Sequence, residues 1–541
     1  MADSPLEQGW NVVTWALSGS YDEDRPVLID ADQPNRSLSK KQAIDLVARL
    51  SGSFQPGSTV CVHLYNDIIY PVLVLAILAS HCEWTGTNPA YTSAELSHHF
   101  AQSETRYVIT DQAYVDVVHQ AITASGQNIE IIIFSDIVTD KPGENDLRWR
   151  CNKYDLATLH SLLTHGDEST LRRRLQGIPN HSPATAMSTS GTTGLPKMVQ
   201  RSHRSLVLET GGTQDHNSAK PFQVRRLYCT PIFHAFSFPE MVINTIRLGF
   251  PSFYMRRFDE SFANKVHEFG ITETMAAPAM LLKIIQWTEK HEEQRFKLQG
   301  LRTILCAGAA LASRLRASFL QLFDDASVRI VQVWGMTEGG WFATFWYPEH
   351  DDTGSIGRPL PTCQIRVSEV PHAELPDGRQ VGELLVKGPQ LLTTYKGHPD
   401  ATKQAFNDGW LRTGDIGYCA NGKVYIIDRA KDIIKVNGWT ISPAELEAVL
   451  HQMPVIVDAA ALSYGTGTKE HVAMFVVAKE PSMLIADIKH HLLQQVARFK
   501  VATCEIHLVD SLPRNSSGKI LRGVLRHQLQ AHYGNGDHGI D

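Results

Sequence analysis

Met187 to Lys197 reads MSTSGTTGLPK, and this stretch decides how the rest of the chain is read. Serine, threonine and glycine packed so densely free the backbone to turn its N–H groups toward an anion. The hydroxyls donate further hydrogen bonds, and Lys197 supplies charge. Phosphate is the natural ligand of such a loop. A flexible linker would share the composition but not the ordered GTTGLPK core. A Walker loop needs GxxxxGK followed by Ser or Thr, whereas Lys197 follows Pro196 and precedes Met198, so that reading fails on spacing.

Outward from this loop, apolar β-type runs such as Thr59 to Leu64 alternate with helical patterns such as Asp67 to Ala79. That alternation continues past the middle of the chain and predicts α/β layers with parallel strands. The greasy run Pro71 to Ala79 is too short to cross a bilayer and predicts a buried helix. From Val381 the texture changes to GELLVKG and KVYIIDR, short strands separated by glycine-rich turns. After Asp428 a charged connection, RAKD, leads to a segment with its own hydrophobic pattern. There Ser442-Pro443-Ala444-Glu445 has the form of a capping box with proline at the first helical position, which predicts a helix from Pro443. HVAMFVVAK reads as a buried strand.

The 541 residues exceed what one core usually supports, so two or more domains with a cleft between them are expected. A net charge of -6 gives no footprint for nucleic acid. The eight cysteines are scattered without a CxxC pair, and read as reduced thiols of a cytoplasmic protein. Neither the N-terminal MADSPLEQGW nor the C-terminal GNGDHGID carries a targeting signal. The close pairs His98/His99, His160/His165 and His490/His491 lack any metal-ligand pattern and are expected to be solvated surface histidines.

With PIFHAF (Pro231 to Phe236), CAGAAL (Cys306 to Leu311), QVWGMTE (Gln332 to Glu338), GSIGRPLP (Gly354 to Pro361), GELLVKGP (Gly382 to Pro389), WLRTGDIGY (Trp410 to Tyr418), DRAKDIIKVNGWTISPAELE (Asp428 to Glu447) and PRNSSGKILR (Pro513 to Arg522) following in order, the chain resembles the adenylate-forming superfamily, in its acyl- and aryl-CoA ligase branch. The resemblance implies a large N-terminal domain of stacked α/β layers (1–427), a hinge (428–432) and a small mobile α+β C-terminal domain (433–541). It also implies the activity: ATP-dependent, AMP-forming conversion of a carboxylic acid to its acyl-adenylate and then to a thioester of coenzyme A. The alternative acceptor is the pantetheine of a separate carrier protein.

Adenylation brings a carboxylate against the α-phosphate of ATP, so the site must neutralise two anions. By the resemblance, Thr189, Ser190, Gly191, Thr192, Thr193, Gly194 and Lys197 hold the β- and γ-phosphates, Thr337 donates to the α-phosphate, and Glu338 ligates Mg²⁺. Gly308, Ala309 and Ala310 flank the adenine, with Gln332, Trp334 and Gly335 on the neighbouring motif and Trp334 covering the base. Asp415 accepts from the ribose hydroxyls, supported by Arg429. Lys519 bonds the carboxylate and phosphate oxygens in the first half-reaction. Rotation about Lys431 then replaces it by the loop of Lys435 and Gly438, which receives the pantetheine arm. His234 gates the thiol channel or orients the carboxylate.

The acid pocket is expected around His234, Phe236, Met275, Met280, Gly339, Gly340 and Trp341, the glycines leaving room and the larger side chains forming apolar walls. The chain departs from the family pattern at Met198, Trp334, Ser237 and in CAGAAL, none of which removes a charged group. Where amino-acid-activating relatives place an aspartate after the phenylalanine, this chain has His234-Ala235-Phe236, which argues against an α-amino acid, whose buried ammonium would lack a partner. An aryl or medium-chain aliphatic acid is expected.

Overall fold

The computed structural model describes residues 9–138, 148–150, 153–189, 196–213, 220–368, 373–374, 379–429, 432, 434–436, 439–441, 443–464, 471–479, 485–496, 498, 501, 504–514 and 520–533. Among these residues, two nine-stranded sheets form the bulk of the molecule. The centre of the first sheet sets Ser252–Tyr254, Arg226–Tyr228, Glu273–Ala276, Thr303–Cys306 and Arg329–Met336 side by side and parallel. Gly340–Thr344 turns back antiparallel beside it and is followed by Arg358–Pro359 at the edge. The centre of the second sheet is also parallel, running from Pro183–Ser188 through Glu83–Gly86, Thr59–His63 and Thr105–Thr110 to Glu130–Ile133. Its near edge is antiparallel, with Met198–Ser202 and then Thr394–Tyr395. The α/β layering expected from the alternating pattern is therefore present.

Strands covered on both faces need apolar residues throughout, and Thr59–His63 is buried at all five positions. The helix Ile69–Ala79 is likewise buried on every side, the outcome expected for a helix that is apolar all round. Its side chains share one core with Val60 and Val62 of the second sheet and Tyr228, Met275, Leu305 and Val331 of the first, so this helix joins the two layers. A smaller antiparallel sheet follows, built on Gln380–Lys387, Trp410–Ala420 and Lys423–Arg429, the first and last of which are the two β-rich runs predicted.

Beyond it, Ile456–Tyr464, His471–Ala478 and Cys504–Leu508 form a three-stranded sheet with a core of its own around Leu446, Leu450, Val472, Met474 and Ile506. The predicted helix runs Pro443–Leu450. Ser442, the expected cap, lies outside the described residues; the backbone N–H of Ala444 donates to the Asp428 carboxylate at 3.1 Å.

The histidine pairs are not uniformly solvated. His99 and His160 are 3% and 4% exposed. His99 sits on the inner face of Ser93–Ser103 with Leu96, Phe100 and Ser103 and pairs with the Thr85 hydroxyl at 2.9 Å, and His160 pairs with Ser135 at 2.8 Å. They are core histidines with polar partners. No group of three His, Cys, Asp or Glu suited to a metal occurs among the described residues, and no described helix is long and apolar enough to cross a membrane.

Burial also disfavours the charged imidazole, holding His63 at about 4 and His99 and His203 at about 3 against an ordinary 6.5. These groups stay neutral in the fold but take up protons once the chain unfolds. Their contribution to stability is complete above pH 6.5 and is lost as pH falls toward the folded values. Each such histidine is expected to cost about 2 kcal/mol between pH 7 and pH 5. Thermal unfolding across that range should show a smaller decline for His99→Gln than for the wild type; parallel curves would remove His99 from the account.

Candidate active site

In an open parallel sheet, ligands bind outside the carboxyl ends of the strands. The first sheet delivers the motif residues to that end. His234 follows Arg226–Tyr228, Met280 follows Glu273–Ala276, Gly308 follows Thr303–Cys306, and Glu338 follows Arg329–Met336.

The serine- and glycine-rich stretch connects two strands of a hairpin, Pro183–Ser188 and Met198–Ser202, which pair with Ser188 opposite Met198. Its mouth is closed by two bonds. The Thr189 N–H donates to the Lys197 carbonyl at 2.9 Å, and the Lys197 N–H donates to the Thr189 hydroxyl at 3.1 Å. Ser190, Gly191, Thr192, Thr193 and Gly194 lie outside the described residues. The exposed Lys197 ammonium stands 5.4 Å from the centre of the Tyr395 ring.

Tyr395 links this loop to Glu338. Its hydroxyl donates to Glu338 Oε1 at 2.7 Å. Glu338 occupies the turn between Arg329–Met336 and Gly340–Thr344 and is 8% exposed. Burial pushes its carboxyl pKa up, opposed by the Tyr395 hydrogen bond and by the charges of Arg429 and Lys197. The buried carboxylate thus has the Tyr395 hydroxyl and its own backbone N–H as donors and two cations in range. Thr337, half-buried, shares the turn. Tyr395 was not among the sequence candidates, and its only signal is its place in TTYKG, shortly after GELLVKGP.

On the nucleoside side, Gly308, Ala309 and Ala310 are exposed at the end of Thr303–Cys306, and Gly308 has a φ of 92°, which favours glycine. Asp415 is buried and faces Arg429 across the strand ladder. Its Oδ1 takes the Arg429 guanidinium at 2.6 Å, and its Oδ2 accepts from the Trp334 indole N–H at 2.8 Å. Trp334 thereby positions Asp415, a contact the motif did not reveal. Its ring is 6% exposed and meets Phe342 edge-on, with centroids 5.4 Å apart. Gln332 and Gly335 lie on the same strand, Gly335 so close to its partner strand that a Cβ would fall 2.1 Å from the Gly340 carbonyl.

On the acid side, the half-buried His234 accepts the Phe236 N–H at Nδ1, 3.3 Å away, so the neutral ring carries its proton on Nε2. Phe236 and Trp341 stack at 5.8 Å, and the Trp341 indole N–H donates to the Phe236 carbonyl at 3.0 Å. Met275 shares their core cluster, whereas Met280 packs against a neighbouring one. The two glycines differ from expectation. A Cβ on Gly339 would meet Phe342 Cε1 at 2.4 Å, and one on Gly340 would meet Glu209 Oε1 at 1.9 Å. They make room for the protein's own side chains rather than for an acid. Lys431, Gly438, Lys519 and the side chain of Lys435 lie outside the described residues.

Comparison with known proteins places this geometry. The AMP-binding enzyme family matches residues 18–396, and the AMP-binding enzyme C-terminal domain matches residues 445–519. Acyl-CoA ligase clz12 of Cochliobolus lunatus is 92% identical over 342 residues, 63% of this chain and 99% of that protein. Phenylacetyl-CoA ligase epaB of Aspergillus niger is 36% identical over 543 residues, 97% of each chain. Among solved structures, the anthranilate CoA ligase AuaEII in complex with anthranoyl-AMP has a TM-score of 0.78 at 18% identity, covering 97% of this chain and 98% of that one, which shows a shared fold. With its family match spanning most of its length, the chain belongs to the AMP-binding enzymes and is an adenylate-forming acid–thiol ligase of the acyl-CoA ligase branch, using ATP and coenzyme A.

Proposed function

We propose that the chain activates an aryl or medium-chain aliphatic acid in two half-reactions on alternating faces of one site. The observation that carries the reading is the convergence of Lys197, Tyr395 and Glu338 beside the Asp415–Arg429–Trp334 group. In the first half-reaction a carboxylate oxygen attacks the α-phosphorus, the new O–P bond forms, and pyrophosphate leaves with the electron pair of the broken bond. Thr189 to Gly194 and Lys197 hold the departing phosphates, Thr337 donates to the α-phosphate, and Asp415 accepts from the ribose hydroxyls. A single oxygen ligand such as Glu338 fits Mg²⁺, which is commonly held by one or two carboxylates together with substrate phosphates and supplies charge neutralisation between them. Lys519 brings a long stem and a point charge to the reacting oxygens.

In the second half-reaction the thiolate of coenzyme A attacks the acyl carbonyl and AMP leaves. The 433–541 domain turns about the 428–432 hinge at Lys431, taking Lys519 away and presenting Lys435 and Gly438, while His234 Nε2 lies between acid and thiol. The Phe236–Trp341 stack supports a flat acid. So do the names of relatives, phenylacetyl-CoA ligase epaB at 36% identity and nicotinic acid-CoA ligase olcI of Penicillium canescens at 30%. A cytoplasmic setting belongs to the same reading, supported by the described cysteines, which are all free thiols.

The direct test incubates the protein with ATP, Mg²⁺, coenzyme A and a panel of aryl and aliphatic acids, reading AMP and acyl-CoA together by mass spectrometry. Matching acid-dependent AMP and acyl-CoA are expected; AMP without acyl-CoA would favour a carrier-protein acceptor, and turnover of acetate or propionate alone would overturn the substrate class. Lys519→Ala should abolish adenylate formation yet largely spare thioester formation from supplied acyl-adenylate, with Lys435→Ala doing the reverse; equal loss of both steps in both variants would contradict domain alternation. Removing the Tyr395 hydroxyl lets the buried Glu338 carboxyl protonate at higher pH than in the wild type. Tyr395→Phe is therefore expected to need about tenfold more Mg²⁺ for half-maximal AMP formation, with a larger deficit at pH 6 than at pH 8. Identical Mg²⁺ titrations would detach Tyr395 from the metal site.

A further inference from the structure

The turn between Arg329–Met336 and Gly340–Thr344 carries Glu338 at one end and leads into Trp341 at the other, so its shape sets the phosphate side and the acid side at once. What holds this turn lies elsewhere in the chain. The Gln390 side-chain amide donates one hydrogen to the Gly339 carbonyl at 2.7 Å and the other to the Trp341 carbonyl at 2.6 Å. Its own oxygen accepts from the Thr362 hydroxyl. From the opposite side, Glu209 Oε1 accepts the Trp341 backbone N–H at 2.9 Å, while Glu209 Oε2 pairs with Arg201 at 2.8 Å. Arg201 also donates to the Gln390 carbonyl at 3.1 Å, closing the ring of contacts. Gln390 and Glu209 are 0% exposed, and Arg201 is 1% exposed. At Gly340, whose φ is 70°, the carboxylate of Glu209 fills the place of a side chain.

We infer that Gln390 and Glu209 are positioning residues that clamp this turn from both faces, so that metal-site geometry and acid-pocket geometry are fixed by one device. The inference rests on the proposed roles of Glu338 and Trp341. A helix or sheet ladder would satisfy the Gly339 and Trp341 carbonyls without side chains. Here one side-chain amide donates to both, and each buried carbonyl loses that donor when it is removed. A buried ion pair adds little net stability in general, but a carboxylate fixed by arginine presents its second oxygen at a set place.

The test compares wild type with Gln390→Met, which deletes both donors at similar volume, measuring kcat, KM for Mg·ATP, KM for the acid and the melting temperature. The clamp predicts that both KM values rise together, about tenfold each. A lower melting temperature with both KM values unchanged would make Gln390 merely structural, and a change confined to one substrate would break the proposed coupling. If Gln390→Met does not fold, Gln390→Asn carries the same test: it keeps the amide but shortens its reach, and a joint rise of a few-fold is expected. A wild type without acid-dependent AMP would refute the functional reading itself, whereas an active wild type beside variants with wild-type KM values would refute the clamp alone.

Discussion

A carboxylate taken out of water must be matched by donors or by positive charge, and the buried Glu338 is the point where this requirement organises the structure. Glu338 lies in a turn between two strands of the first sheet, whereas Tyr395, which bonds its carboxylate, belongs to the edge of the second. The Leu392 N–H also donates to the Glu338 carbonyl at 2.7 Å. Two sheets with separate hydrogen-bond ladders thus touch through one acidic residue here, as they do through Glu209 between Arg201 and Trp341. The hairpin that carries Lys197 is registered against Tyr395 by the pairing of Val199 with it, so the sheet brings Lys197 near Glu338.

Preorganisation of this kind suits a reaction between two anions. In the proposed first half-reaction charge develops on departing pyrophosphate, which fixed cations and donors stabilise without reorganising at the moment of reaction. The nucleoside side follows the same logic. Asp415 is held by Arg429 on a neighbouring strand and by Trp334 on the first sheet, so the carboxylate assigned to the ribose joins the smaller sheet to the larger. The acid side is apolar at the Phe236–Trp341 stack but is backed by buried charge, with the Arg201–Glu209 pair behind the turn and Arg226 bridging Glu240 and Glu273 deeper in the first sheet.

The layered α/β architecture, the buried helix Ile69–Ala79 and the strands around GELLVKG and KVYIIDR were legible because each is a local pattern of apolar residues and turns. Lys197, Glu338, Asp415 and Arg429 were singled out for another reason: each sits in a short motif whose order along the chain is distinctive, and the structure brings them near one another. Tyr395, Gln390 and Glu209 were not, because their meaning lies in contacts across 57, 51 and 132 residues, which no local pattern encodes. The glycines at 339 and 340 show the limit from the other side. Their small size was readable, but the occupant of the space was not. His99 was misread because adjacency to His98 suggested a solvated pair, while helical periodicity turns one of the two inward.

The central claim is that the acid's carboxylate attacks the α-phosphorus of ATP. It is tested most directly by supplying a substrate acid with both carboxylate oxygens labelled as oxygen-18, together with ATP, Mg²⁺ and coenzyme A, and measuring the mass of the released AMP. One labelled oxygen in AMP is the predicted result, since the bridging oxygen of the adenylate stays with phosphorus when the thiol displaces it. Unlabelled AMP, or label in inorganic phosphate, would contradict the account.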